Sequence, residues 1–140
     1  MLQAILEAVP VGIWVLDQEG NKLISNKMTD EIWGGLIYEN PADLGNFKAR
    51  WNDSGEVISA NQWAAIKALR GETHLNQTLD IVNFDGTHKT ILDSGMPIIK
   101  NKDDIAGAII INVDVTQQKE CEKKLKQVQS ELEKYKQKSK

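Results

Sequence analysis

The fold is decided by the stretch Ile109-Ile110-Ile111-Asn112-Val113-Asp114-Val115-Thr116. Its β-branched first half predicts a strand whose surface is covered by other elements. Asp114 or Thr116 can cap the free backbone amides of a helix that begins at residue 117. No glycine or proline interrupts the chain from there to residue 140. The sequence therefore predicts a strand that runs directly into a long helix.

Length and charge divide the chain into a compact body and a tail. The 140 residues, 41% of them hydrophobic, suit one domain with an appended element. Residues 117–140 hold eight lysines and four glutamates, so the net charge of −3 divides into +4 there and −7 in residues 1–116. An acidic body argues against nucleic acid as a partner, because phosphate binding needs a basic face. The interleaved charges of the tail indicate a solvated helix face.

Several functional classes lack their sequence signals. Cys121 is the only cysteine, so an internal disulfide and a cysteine-based metal site are not expected. No apolar run approaches the ~20 residues of a membrane span, and the first residues lack the basic start of a signal peptide. These features predict a cytoplasmic protein. No phosphate loop, metal-spaced histidine pair or nucleophile elbow is present, so we expect no catalytic residue, no metal site and no enzyme.

Hydrophobic periodicity predicts an α+β domain. Five strands are expected, at residues 11–17, 21–25, 74–84, 88–99 and 105–114. The turns at residues 17–20 and at Asp85-Gly86 join four of these strands into two hairpins. Consecutive hairpins imply an antiparallel sheet with short helices on one face, and the space between the two layers is the expected pocket.

The predicted helices have recognisable start and stop signals. An N-terminal flanking helix over residues 1–10, with Leu2, Ile5, Leu6 and Val9 on one face, ends at Pro10. Asn26 is the expected N-cap of a second helix, which Gly34-Gly35 stops. A capping box over residues 59–62 begins a third helix, which Gly71 closes. Residues 36–58 show no clear period, although Asp43 to Arg50 could form one or two helical turns.

The tail carries an apolar seam with a spacing of 4, 3, 4 and 3 residues, formed by Cys121, Leu125, Val128, Leu132 and Tyr135. A 3.5-residue period is typical of a coiled coil and predicts self-association, either parallel or antiparallel. The seam is imperfect, because Leu and Val occupy the reverse of the best dimer positions and Gln118 is polar. The pattern stops midway, so we expect a longer protein with an effector domain.

Four segments in order resemble the markers of one known family: Ala8 to Asp17 with Gly20 and Asn26; Ala68 to Glu72; Asp85-Gly86, Met96-Pro97 and Ile105 to Ala108; and Asp114-Val115-Thr116. Together they are similar to a PAS sensor domain over nearly all of residues 1–119. The loop Trp51-Asn52-Asp53-Ser54-Gly55 also looks like the Trp-x-Asp-Gly loop of one branch of that family, with one residue inserted.

The resemblance implies a sensory and dimerising module. It predicts a five-stranded PAS domain at residues 11–116, between the flanking helix at 1–10 and a signalling helix at 117–140. Such modules are coupled to a histidine kinase, a cyclic-dinucleotide enzyme or a transcriptional effector. We expect a homodimer through the N-terminal helix and the coiled coil, with Asp114 and Thr116 as the signal relay. The runner-up interpretation is a docking module without a ligand.

The sequence does not identify a ligand. Flavin-binding members of the family use a cysteine segment that is absent here, although Asn112 and Asn83 stand at positions similar to two of their flavin-facing amides. Ile91 stands where a third amide is expected. The candidate haem ligands His74 and His88 are more typical of strand ends. The sequence requires no cofactor and favours neither non-covalent flavin nor haem.

Tryptophans and one amide complete the candidate site. Trp14 and Trp33 are expected in the core, because large aromatic residues dominate small cores. Trp51 and Trp63 flank the loop and the helix that would cover the pocket, so they are candidate ligand contacts. Asn112 either faces solvent or points inward, in which case its amide needs a partner such as a ligand or a water.

Overall fold

A computed structural model describes residues 2–138 of the chain, with Leu2 described in its backbone alone. The outermost residues of the two predicted flanking segments, Met1, Ser139 and Lys140, lie outside the described residues, as does the side chain of Leu2 in the predicted apolar face. Within residues 2–138, no helix combines the length and the apolar character needed to cross a membrane.

The described chain forms one antiparallel sheet, with two of its four helices packed on one face. The strands are β1 (Gly12–Asp17), β2 (Lys22–Ser25), β3 (Lys48–Trp51), β4 (His74–Val82), β5 (His88–Asn101) and β6 (Asp104–Asp114), in the spatial order β2-β1-β6-β5-β4-β3. The helices are α1 (Leu2–Ala8), α2 (Lys27–Trp33), α3 (Ala64–Leu69) and α4 (Thr116–Lys138), with 3-10 helices at Pro41–Asn46 and Ala60–Gln62. The predicted α+β class, the two hairpins and the direct passage from β6 to α4 are confirmed.

The sheet has six strands rather than the predicted five. The additional strand β3 pairs with β4, from Lys48 opposite Val82 to Trp51 opposite Leu79. Its four residues are too few to show a period, and lysine, alanine and arginine are poor strand formers. Charged residues are nevertheless typical of an edge strand, where they discourage pairing with other chains. Of the residues 43–50 considered for helical turns, residues 43–46 lie in the 3-10 helix Pro41–Asn46 and residues 48–50 lie in this strand.

Asn26 ties the N-terminal helix to the sheet instead of capping α2. Its Oδ1 accepts a hydrogen bond from the backbone N–H of Ile13 at 2.9 Å, and its Nδ2 donates to the carbonyl oxygens of Leu6 and Val11, both at 2.8 Å. The side chain therefore makes no cap hydrogen bond to α2. Asn26 stands at the predicted N-cap position of α2, but backbone groups of α1 and of the start of β1 occupy its side-chain amide.

The core lies between one face of the sheet and its helical cover. Alternate residues of the central strands point to this face, as Trp14 and Leu16 do on β1. Helix α3 is short and lies directly on β5, because Gly95 has no side chain. A Cβ there would stand 2.7 Å from the carbonyl oxygen of Ala64. The close approach brings the start of α3 over the centre of the sheet, where the candidate site lies.

Candidate functional site

A cavity of about 40 Å³ lies between the sheet and its cover. Most of its wall is apolar and aromatic, with two polar side chains at its floor. The aromatic wall is formed by Trp14, Trp33, Tyr38, Phe47 and Trp63, and the polar floor by Asp93 and Asn112. The cavity lies between the sheet and the helices, where the sequence predicts a ligand pocket. It is small, since a water needs about 10–15 Å³ of such space.

The aromatic wall is held by edge-to-face packing. The ring centroids of Trp33 and Phe47 are 4.8 Å apart, and Trp63 lies 6.4 Å from Trp33 and 6.5 Å from Phe47. Such pairs contribute about 0.5–1.5 kcal/mol each beyond the area they bury. The three rings come from α2, the segment before β3 and the start of α3, so their packing joins separate parts of the cover into one wall.

The two polar side chains of the floor are hydrogen-bonded to each other and to the indole of Trp33 in the wall. The indole Nε1–H of Trp33 donates to Asn112 Oδ1 at 2.8 Å, and Asn112 Nδ2 donates to Asp93 Oδ1 at 2.6 Å. Asp93 and Asn112 face each other across β5 and β6, and both are buried. Asn112 thus points inward, and protein side chains rather than a ligand or water satisfy its amide.

Asp93 is the site residue that the sequence analysis missed. Burial raises the pKa of its carboxyl to about 7, against the hydrogen bond from Asn112 and the charge of Lys67, which both lower it. The sequence carried one indication of its role. Ile91 and Asp93 are two residues apart on β5, so the acidic side chain lies on the same face of the strand as a core residue. Without knowledge of which face is covered, that pattern does not distinguish a buried carboxyl from an exposed one.

The structure brings two of the four predicted ligand residues to the cavity. Trp63 and Asn112 line it, whereas Trp51 and Asn83 do not. Trp51 lies beyond the wall, with its Nε1–H donating to Gln62 Oε1 at 3.3 Å and the Lys67 Nζ 5.2 Å from its ring centroid. Asn83 is a turn residue after β4, where its Oδ1 accepts from the backbone N–H of Thr87 at 2.9 Å.

The cavity does not fit the cofactors bound by some members of the family that the sequence resembles. A space of about 40 Å³ holds roughly three water-sized groups, far fewer than a flavin ring system or a haem. Ile91 presents a fully buried alkyl group where a flavin-facing amide is expected. His74 and His88 are absent from the lining, and His74 Nε2 lies 3.5 Å from Glu72 Oε1.

The junction residues fasten the start of α4 to β5. Thr116 Oγ1 accepts from the backbone N–H of Thr90 at 3.0 Å and donates to Asp114 Oδ1 at 2.6 Å. Asp114 Oδ1 also accepts from the backbone N–H of Thr116 at 3.0 Å, which caps the first turn. The backbone N–H of Val115 donates to the Thr90 carbonyl at 2.9 Å, and Lys89 Nζ lies 3.7 Å from Asp114 Oδ2. The end of the sheet thus determines where the helix begins.

Comparison with known proteins identifies the fold through structure alone. No family model and no curated protein matches the chain. The PAS domain of a protein from Colwellia psychrerythraea is 18% identical, with a TM-score of 0.51, over 81% of this chain and 93% of that chain. A sensory box histidine kinase/response regulator from Burkholderia thailandensis is 17% identical, with a TM-score of 0.55, over 95% and 98%. An RNA-binding Light-Oxygen-Voltage receptor is 17% identical, with a TM-score of 0.62, over 92% of this chain and 36% of that chain.

The buried carboxyl makes stability depend on pH. Asp93 holds its proton more tightly in the folded state than in the unfolded chain, so stability falls as the pH rises from about 4 to about 7. The variant Asp93→Asn keeps the acceptor for Asn112 and has no charge to bury. We expect its free energy of unfolding to exceed that of the natural chain by up to about 4 kcal/mol at about pH 8, with little difference at about pH 4. Urea unfolding at both pH values measures this, and a difference independent of pH would contradict it.

Proposed function

This chain has the PAS fold, and we propose that it is the sensory input and dimerisation module of a signal-transduction protein. The state of the pocket, or of a partner bound to the domain, passes through Asp114-Val115-Thr116 to a C-terminal coiled coil. The effector, a histidine kinase or a similar output domain, lies in the same longer chain. On this proposal residues 11–116 are the sensor, residues 117–140 the signalling helix and residues 1–10 a flanking helix, all in the cytoplasm.

The observation that carries the proposal is the short connection between the cavity and α4. Asp93 and Asn112 form the floor of the cavity and join β5 to β6, while Thr90 and Thr116 form the junction and join β5 to α4. Only two residues separate Asp93 from Thr90 on β5, and one separates Asn112 from Asp114 on β6. Only one or two residues therefore separate the cavity from the hydrogen bonds at the start of α4. A change in the spacing of β5 and β6 at the cavity would alter the geometry of those hydrogen bonds.

Transmission of a signal needs two arrangements of α4 that are close in free energy. The polar Gln118 and the reversed order of Leu and Val lower the stability of the seam, which is compatible with two packings of similar free energy. A modest bias from the pocket is then enough to shift the population. The junction hydrogen bonds supply the physical link for that bias.

Dimerisation is supported by the exposed seam of α4. Leu125, Val128, Leu132 and Tyr135 are between 51% and 70% exposed, on a helix that contacts the body only at its first turns. Burying a leucine side chain contributes about 1.5–3 kcal/mol. An apolar stripe at a 3.5-residue spacing is buried most readily against the same stripe of a second copy.

A second candidate function is a docking module without a small ligand. The small cavity and the mutual hydrogen bonding of Trp33, Asn112 and Asp93 favour it, because the core is largely filled and its polar groups have partners in the protein. Such a module would respond to a partner protein rather than to a molecule in its pocket. Both candidates use the same junction and the same seam.

The relay is tested by Thr116→Val, which keeps the shape of the side chain and removes its hydroxyl. The Thr90 N–H then loses its acceptor, at a cost of about 1–3 kcal/mol, which leaves the domain folded. We expect effector output in the full protein to lose its dependence on the input signal. Thr73→Val, at an exposed threonine before β4, is the matched control. A normal signal response in a correctly folded Thr116→Val protein would contradict the relay proposal.

The seam is tested by Leu132→Glu, with Ser130→Glu as the control on the opposite side of the same helix. Two glutamates in place of two packed leucines should weaken dimerisation by about 100-fold or more, while Ser130→Glu leaves it nearly unchanged. Gel filtration with light scattering over a range of concentrations gives the dimer dissociation constant. A natural chain that stays monomeric at high concentration, or equal effects of the two substitutions, would count against the coiled coil.

A further inference from the structure

The cavity contains a buried acid without a counter-ion. Asp93 is 5% exposed, and none of the ion pairs among the described residues includes it. Buried charges in proteins are normally paired, because an isolated charge in an apolar setting is strongly unfavourable. Asn112 supplies a hydrogen bond to Oδ1 but no charge. The carboxylate form of Asp93 therefore needs a cation.

The groups around Asp93 supply none at bonding distance. Asn112 from β6 is neutral and is itself held by Trp33 from α2. Lys67 from α3 acts on Asp93 only at a distance, and its Nζ lies 5.2 Å from the Trp51 ring centroid, outside the cavity wall. Tyr38 donates its hydroxyl to the carbonyl oxygen of Gly20, and burial, with Asp43 and Asp17, raises its pKa to about 12, so it stays neutral.

The other walls suit the organic part of a cation. Aromatic rings attract ammonium groups through their negative faces, and aromatic cages are a known means of binding methylated ammonium ions. The wall here combines five aromatic side chains with one carboxyl, and no basic side chain lines it. The net charge of −7 in residues 1–116 also raises the local concentration of cations.

We infer that the cavity binds a small organic ammonium ion, with its N–H donated to Asp93 and its methyl groups against the aromatic wall. This inference rests on the proposed sensory function and names the chemical class of its ligand. A volume of about 40 Å³ limits the ligand to roughly three non-hydrogen atoms unless the wall moves. A ligand of that size binds with a Kd of about 1 mM at best.

The pH dependence of binding distinguishes a cation from a neutral ligand. An ammonium ion requires Asp93 in its charged form, whereas a neutral carbonyl compound accepts a hydrogen bond from the protonated acid. With a carboxyl pKa of about 7, amine affinity should fall about 30-fold from about pH 8 to about pH 5.5. Affinity for a neutral acceptor should change in the opposite direction.

The experiment titrates the natural chain with dimethylammonium chloride, potassium chloride and the neutral amide acetamide, and follows the indole N–H resonance of Trp33 by NMR. This group donates to Asn112 and so reports on the floor of the cavity. We expect saturable shifts with dimethylammonium alone, weakening about 30-fold at about pH 5.5. Asp93→Asn should abolish them. Asp80→Asn, a half-buried strand carboxyl bonded to Thr90 Oγ1 and Asn52 Nδ2 rather than lining the cavity, should not.

Three results would overturn the inference in different ways. Binding of acetamide at the same resonance, strongest at low pH, would show a ligand pocket that does not select cations, and would leave the proposed sensory function intact. If dimethylammonium and acetamide both shift the Trp33 resonance no more than potassium chloride does, the cavity does not bind an ammonium ion. That result would also favour the docking module over a ligand sensor. Normal amine binding by Asp93→Asn would likewise remove Asp93 from the site.

Discussion

The hydrogen bond between Asp93 and Asn112 is the interaction on which the rest of the site depends. It joins the two longest strands of the sheet inside the core, at a directly opposed pair of residues. The same amide holds the indole of Trp33, which anchors α2 and packs against the rings of Phe47 and Trp63. A buried network of this kind is stable only when all of its members are satisfied. Removal of Asn112 would leave both the Trp33 indole N–H and Asp93 Oδ1 without this partner in an apolar setting.

The proposed relay depends on the placement of this pair in the sheet. Strands β5 and β6 form the floor of the cavity at Asp93 and Asn112, and further along they form the anchor of α4 at Thr90 and Asp114. On the proposed function the titratable carboxyl lies at the input end, where burial makes its charge sensitive to any molecule that shares the cavity. The junction consists of the Thr116 hydroxyl, the Asp114 carboxylate and the Thr90 backbone, so on the same proposal it would transmit a change of position.

Much of this architecture is readable from the sequence because it depends on local signals. Turn residues such as Asp85-Gly86 and the β-branched run at Ile109 to Ile111 identify strands without knowledge of their neighbours. The sequence failed where partners are distant in the chain. Strand β3 forms through pairing with β4, and Asn26 serves α1 and β1 instead of its own helix. In the sequence Asp93 resembles an ordinary strand residue, because the elements that bury it, β6 and α2, are distant in the chain. Trp51 and Asn83 were candidate ligand residues by their positions in the sequence. In the structure they are hydrogen-bonded to Gln62 and Thr87 instead.

If the proposed relay operates, the charge of Asp93 changes the hydrogen bonds at the junction, and the backbone amide of Thr90 reports this because it donates to Thr116 Oγ1. Its NMR chemical shift should be followed from about pH 5 to about pH 9 in the natural chain and in Asp93→Asn. We expect a transition at the pKa of Asp93, about 7, that disappears in the variant. A Thr90 amide shift with no Asp93-dependent transition, while the Trp33 indole titrates, would contradict it.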